Sequence, residues 1–278
     1  VHQKSSSSTN SHISVHTTDF SPESLRAIFH GLKPDVVFST SHGGAFETQK
    51  TIIDTAISAG VPRFVPTEFG QDSQNTALHD RLPPLKGRWQ CTQYLKELSN
   101  KGTIEWVAPA TGIQLDQAIM SGNIGFDLKW HSVTVHGTGE EEFAASSTQW
   151  NGKVAAAILK YWNSVRNQYL YVPGMITTVS ACLEALQNVT GQKWERGNNE
   201  VEEMVREAER RIERGFPDAG MFLLQKSVLC DESLNAVGPF REKDGKGVLG
   251  LEGERVEDVV EKVVHEFQHH GKADCGCG

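Results

Sequence analysis

The sequence predicts an α/β protein built on a doubly wound parallel sheet. Two features of the first 112 residues point there. Short apolar, β-rich runs alternate with helical patterns in units of about 25–35 residues, the signature of right-handed strand–helix–strand crossovers. The clearest run, "PDVVFST", is near-continuous in its apolar residues, as strands buried on both faces of a parallel sheet are. No internal repeat competes with this reading.

The elements follow in order. "ISVHTTDF" reads as a strand entering a loop. "SPESLRAIFHG" reads as a short helix with Ser21 as cap, Pro22 at the first helical position and Gly31 as its stop. "PDVVFST" is the next strand, and "FETQKTIIDTAISAG" a helix with Ile52, Ile53, Ala56 and Ile57 on one face and Gly60 at its end. Strand "VPRFVPTEFG", helix "GRWQCTQYLKELSNKG" and strand "TIEWVAPATG" complete the series. After Gly112 the texture changes to short strands, glycine turns and helices. "VEEMVREAERRIERG" and "ERVEDVVEKVVHEFQHH" carry apolar stripes that read as packing faces. The expected division is residues 1–112 as the sheet core and residues 113–278 as mostly a smaller, helix-rich lobe, with some segments returning to the core. Such a lobe closes one side of a pocket at the carboxyl ends of the strands.

Composition narrows the function. The 278 residues carry a net charge of −8, from 27 basic and 35 acidic side chains. That argues against a nucleic-acid footprint or an anionic membrane surface as partner. The longest apolar runs, such as "KVAAAIL", fall far short of the ~18 residues of a membrane span. No basic flank precedes an apolar signal core, so a cytoplasmic location is expected. Cys91, Cys182 and Cys230 read as reduced core thiols. Cys275 and Cys277, with His269 and His270 nearby, read as a frayed terminus rather than a metal site. "NVT" at Asn188 reads as a chance match to the glycosylation pattern.

Ligands of open parallel sheets bind at the carboxyl ends of the strands. Three strand ends here offer hydroxyls and glycines that permit close backbone approach. They are "FSTSHGG" with Ser39, Thr40, His42, Gly43 and Gly44; "VPTEFGQD" with Thr67, Glu68, Phe69, Gly70 and Asp72; and "VAPATG" with Pro109, Ala110, Thr111 and Gly112. Glu68 reads equally as a site carboxylate or as one satisfying nearby backbone amides. His42 reads as a loop histidine, and His131 and His136 as surface residues.

"RFVPTEFG", the preceding "ISVHTTDFSPESLRAIFHGLKPDVVFST", and the later "GFDLK", "TVHGTGEEEFAASS" and "TGQKW" resemble the NmrA-like and isoflavone-reductase-like proteins, most of all their fungal branch. The resemblance covers nearly the whole chain. It implies a Rossmann-type domain binding NADP(H), with a smaller substrate lobe. It implies an NADPH-dependent oxidoreductase of a small aromatic or conjugated molecule, or a non-catalytic dinucleotide sensor with a protein partner. On it, Ser39, Thr40, Thr67, Glu68, Phe69, Gly70 and Thr111 would border the cofactor, and Phe69, Trp106 and Phe126 would offer apolar walls.

Two departures from the family pattern stand out. No G-x-x-G-x-x-G turn occurs ahead of "PDVVFST", where the family has one. "QKSSSS" instead resembles the loop after the family's second strand, so Lys4, Ser5 and Ser6, with Ser7, would meet an adenosine 2′-phosphate. Without that unit the "VVFST" strand loses a neighbour, and the expectation is an N-terminally truncated core in which "ISVHT" lies directly beside "VVFST". An inactive truncated product is a further reading. The second departure concerns the family's catalytic lysine, whose slot falls on Arg88, with Lys86 two residues earlier. Two residues on a helix are about 200° apart, so both cannot face one pocket. Lysine can exchange a proton when buried, whereas arginine can only stabilise negative charge.

Overall fold

The computed structural model describes residues 12–41 and 44–269. Helix α1, Pro22–Leu32, starts as its sequence dictates: the Ser21 side chain accepts from the Ser24 N–H, and Pro22 opens the first turn. Its stop is not Gly31 but Lys33, which takes the left-handed conformation at φ 46° and caps back to the Phe29 carbonyl. Strand β1, Val37–Phe38, leads to α2, Phe46–Ser58, and β2, Arg63–Val65. Helix α3, Pro83–Asn100, begins four residues before the "GRWQ" segment, with proline again in its first turn. Strand β3, Glu105–Ala110, follows.

Beyond Gly112 come β4 (Ile113–Gln114), α4 (Leu115–Met120), β5 (Phe126–Asp127), β6 (Ser132–His136) and β7 (Phe143–Ser146). Next are α5 (Thr148–Lys160), α6 (Trp162–Val165), β8 (Gln168–Tyr171), β9 (Met175–Thr177) and α7 (Val179–Thr190). The chain ends with β10 (Glu195–Asn199), α8 (Val201–Glu213), α9 (Pro217–Cys230), α10 (Gly238–Glu242) and α11 (Val256–His269).

The main sheet is parallel throughout, in the order β1-β2-β3-β8. Alternate side chains feed two cores, as the pleat requires. Phe64, Trp106 and Ala108 pack under α1, α2 and α3, with Leu25, Phe29, Ile52, Ile53 and Leu95. Val65 and Val107 face the other way, against Trp150, Val154 and Ile158 of α5. Trp150, only 1% exposed, also donates its indole N–H to the Val172 carbonyl at 2.9 Å. Helices cover both faces, so the doubly wound reading holds. Two three-stranded sheets, β10-β6-β5 and β4-β7-β9, flank this core. Leu115, Ile119, Phe143, Leu186 and Val260 fill the cluster that joins them to α4, α7 and α11.

One expected strand does not form. Ile13–Thr17 has no strand structure, and Ile13 and Val15 are 59% and 72% exposed. Among the described residues β1 hydrogen-bonds only to β2. Local polar bonds turn the chain into α1 instead: Phe20 N–H donates to Thr18 Oγ1, and Ser21 N–H to Asp19 Oδ1. Such side-chain bonds compete with a strand ladder for the same backbone groups.

Candidate functional site

The three strand ends meet at one edge of the main sheet. The loop after β2 is tied to the loop after β3 by Thr111 N–H and Gly112 N–H, which both donate to the Gly70 carbonyl at 3.0 and 2.9 Å. The loop after β1 is tied to β2 by Thr67, whose hydroxyl lies 2.9 Å from the Ser39 carbonyl oxygen and 3.1 Å from Ser39 Oγ. Ser39 and Thr67 are therefore bonded to one another and brace the edge. Thr40 is exposed. Ser146 Oγ, 2.6 Å from the Thr111 carbonyl, locks the third strand end to β7.

Glu68 points inward. It is fully buried, and its carboxyl accepts from Ser73 Oγ at 3.0 Å, Tyr169 OH at 3.2 Å and Thr92 Oγ1 at 3.3 Å. Burial raises its pKa from 4.5 to about 7, against the opposing pull of the Arg88 guanidinium and these hydroxyls. Asp72, also buried, accepts from Tyr171 OH and from the Gln74 N–H, and burial raises its pKa too. Tyr169 and Tyr171 stay protonated, held far above their ordinary range by burial and the two carboxylates. This polar core supports the strand ends from behind.

In front of it lies a cleft of about 330 Å³. Its walls come from Phe69 and Gly70 after β2, Arg88 of α3, Gly112 after β3, Met221 and Lys226 of α9. Arg88 and Lys86 are separated as helical geometry requires. Arg88 is half-buried and lines the cleft; Lys86 is exposed in a separate depression with Gly44, Phe46 and Gln90. The phase of α3 is set by a close approach at Gly87, where a Cβ would stand 2.3 Å from the Gly44 carbonyl oxygen. Only glycine allows that contact. Gly70 gives Arg88 its room, since a Cβ there would stand 2.8 Å from Nη1. Arg88 Nε and Gln71 Nε2 are buried with no hydrogen-bond partner among the described residues, as is Thr111 Oγ1 one residue from Gly112.

Other candidates fall elsewhere. Trp106 and Phe126 belong to the two apolar cores and do not line the cleft; Phe69 does. His136 is not a surface residue but 7% exposed, its pKa lowered to about 4 by burial and then by the Lys226 charge. Cys91 and Cys182 are buried thiols pushed up to about 12 by burial. Lys4, Ser5, Ser6, Ser7, His42, Gly43, His270, Cys275 and Cys277 lie outside the described residues. Among the described residues no cluster suited to a metal ion occurs, and no helix is long and apolar enough to cross a membrane.

Lys226 is the site residue that sequence reading missed. It sits in "LLQKSVLC" on α9, 8% exposed, and burial brings its pKa down to about 8. The available signal was a lysine set among Leu223, Leu229 and Cys230 on an otherwise apolar helix face. The spacing Gly247, Gly250, Gly253 does match G-x-x-G-x-x-G, but the segment begins as a 3-10 turn rather than following a strand. A Cβ at Gly250 would approach the Tyr161 hydroxyl, so this glycine serves packing.

Comparison with known proteins agrees with this architecture. The crystal structure of an isoflavone reductase superposes with a TM-score of 0.65 at 15% identity, over 88% of this chain and 80% of that one. The NADPH complex of leucoanthocyanidin reductase from Vitis vinifera superposes with a TM-score of 0.68 at 13% identity, over 88% and 83%. Both likenesses establish a Rossmann-like fold. In sequence, the oxidoreductase aprR of Aspergillus flavus is 30% identical over 255 residues, 91% of this chain and 85% of that protein. The family model described as NmrA-like matches residues 3–267, and the chain belongs to the NmrA-like family.

Proposed function

We propose that the chain is a cytoplasmic NADP(H)-dependent reductase of a small aromatic or conjugated molecule. The observation that carries this reading is the cleft at the carboxyl ends of β2 and β3, which joins apolar lining residues such as Phe69, Leu85 and Ile113 to the Arg88 guanidinium. The reading is supported by the oxidoreductase relative from Aspergillus flavus and by the fold shared with an NADPH-bound leucoanthocyanidin reductase. Arg88 Nε and Gln71 Nε2, both on the cleft and unpartnered among the described residues, fit the carboxamide end of a nicotinamide and a substrate oxygen beside it.

NADP(H), when bound, would supply or accept the hydride. Phe69 offers a ring face, while Gly70 and Gly112 leave the backbone approachable. Thr40, at the free end of β1, and the braced Ser39 and Thr67 would shape the adjoining rim. Glu68 would act from behind, through Arg88 and the hydroxyl network. Lys4, Ser5 and Ser6 enter only through the family resemblance, as contacts of a 2′-phosphate. Arg88 would stabilise negative charge on a substrate oxygen; it cannot take up a proton, because a guanidinium stays protonated. Lys86, turned out of the cleft, would not reach that oxygen.

Arg88 also favours a second reading, a dinucleotide-sensing regulator without turnover, because a permanently charged side chain cannot serve as the general base. Titrating the purified chain with NADPH and NADP+ tests both readings. Absence of binding overturns both. Binding with NADPH consumption on conjugated ketones, enones or benzylic ethers, lost in Arg88→Leu, supports the reductase. Tight binding without consumption supports the sensor.

A further inference from the structure

The cleft has a charge character opposite to that of the whole chain. The sequence carries a net charge of −8, yet none of the described residues lining the cleft is acidic, and two are cations. Arg88 leaves Nε buried without a hydrogen-bond partner among the described residues. Lys226, 8% exposed, has one weak contact, 3.5 Å to the Thr134 carbonyl oxygen. Neither forms an ion pair among the described residues. Buried cations without counter-charges are costly, and the cost falls when an anion pairs with them.

The surrounding groups do not supply that anion. His136 of β6 is held neutral by burial and by the Lys226 charge, and the Cys230 thiol on α9 is pushed up to about 11 by burial. Of the two carboxylates that act on Cys230, Glu141 is occupied by the Thr138 and Gly139 N–H groups and Asp231 is paired with Arg81. Glu68, behind Arg88, holds its proton up to about pH 7. Lys226 itself, with a pKa brought down to about 8, is charged at neutral pH and would be held more firmly so by an anion.

We infer that the cleft selects a small apolar molecule bearing an anionic oxygen, a carboxylate or an ionised enol or phenol, with Arg88 and Lys226 as its counter-charges. The inference rests on the proposed function only in taking this cleft as the ligand site. At about 330 Å³ the cleft is at the small end of ligand pockets, which suits a small ligand. A dinucleotide phosphate is the other source of the same charge, and the experiment separates the two.

The full chain is titrated calorimetrically at pH 6, where Glu68 holds its proton, with matched probe pairs: benzoate and benzamide, trans-cinnamate and trans-cinnamamide. The carboxylates should bind about tenfold or more tightly than the amides, the usual worth of a charge-assisted hydrogen bond. Lys226→Met and Arg88→Met should each lower carboxylate affinity more than amide affinity and so shrink that ratio, and Lys226→Arg should retain it. Thermal unfolding checks each variant, and the wild-type ratio needs no variant at all. Equal affinity for acid and amide, no carboxylate binding at millimolar concentration, or a preference left unchanged by either substitution overturns the inference. The titrations are repeated with saturating NADP+. Displacement of cinnamate by NADP+, with an equal loss of NADP+ affinity in Lys226→Met, assigns the cations to the dinucleotide and overturns the inference while the reductase reading stands. Carboxylate preference in a chain that binds no NADP+ sustains the inference and overturns the reductase reading.

Discussion

The buried Glu68 carboxyl should make folding stability fall as pH rises towards neutrality. Its pKa is 4.5 in an ordinary setting and about 7 in the folded chain, chiefly because burial disfavours the charged form. Between those values the folded chain holds a proton that the unfolded chain has released, so raising the pH favours unfolding. The contribution is complete below pH 4.5, where both states are protonated, and lost above about 7, where both are ionised. The displacement is equivalent to about 3 kcal/mol. Urea unfolding of the wild type and Glu68→Gln from pH 4.5 to 8 reads it out. Glutamine keeps an acceptor oxygen for Ser73 and Thr92 but cannot ionise. The variant should gain about 3 kcal/mol relative to the wild type across that range. His136 works in the opposite sense: its lowered pKa, about 4, makes its own contribution grow as pH rises from 4 to 6.5. It is present in both proteins, so the difference isolates Glu68. A difference independent of pH, or one that shrinks as pH rises, would refute the assignment of the raised pKa to this carboxyl.

Further outcomes follow from the same geometry. Tyr169→Phe removes the donor to Glu68 and the acceptor of the Ser73 N–H, and should cost about 1–3 kcal/mol in urea unfolding. Trp150→Ala empties the second face of the main sheet and frees the Val172 carbonyl, and should cost about 3–5 kcal/mol by the same measurement. Gly87→Ala drives a methyl against the Gly44 carbonyl; it should cost about 1–3 kcal/mol and displace Arg88, read as a loss of the carboxylate preference. Arg88→Lys places a titratable amine in the cleft, so the pH profile of NADPH consumption should acquire an ionisation that the wild type lacks.

What the sequence revealed and what it hid divide along physical lines. Helix α1 carries its own start signals, Ser21, which accepts from the backbone N–H three residues on, and Pro22 in the first turn. Those signals are local and so are readable. Strand formation depends on a partner, and among the described residues Ile13–Thr17 has none, whatever its β-branched residues prefer. The direction of Glu68 was equally hidden, because the alternation of a strand stops where β2 ends at Val65. Its inward turn depends on Tyr169, which lies 101 residues away.

The choice between Lys86 and Arg88 shows how tertiary contact completes a local rule. Helical geometry established that only one could face the cleft, but the phase came from Gly87 resting on Gly44. That contact directs the arginine inward, and with it a charge no pH change within the stable range removes. Glu68, behind it, does change: as the carboxyl ionises near pH 7, it offsets part of the guanidinium charge. Lys226 begins to lose its proton about one pH unit higher. Both changes reduce the positive character of the cleft as pH rises. Carboxylate affinity should therefore decline from pH 6 to 9 in the wild type, and in Glu68→Gln only the later, Lys226-dependent part of the decline should remain. A carboxylate affinity that is flat with pH in both proteins would mean that neither group faces the bound anion.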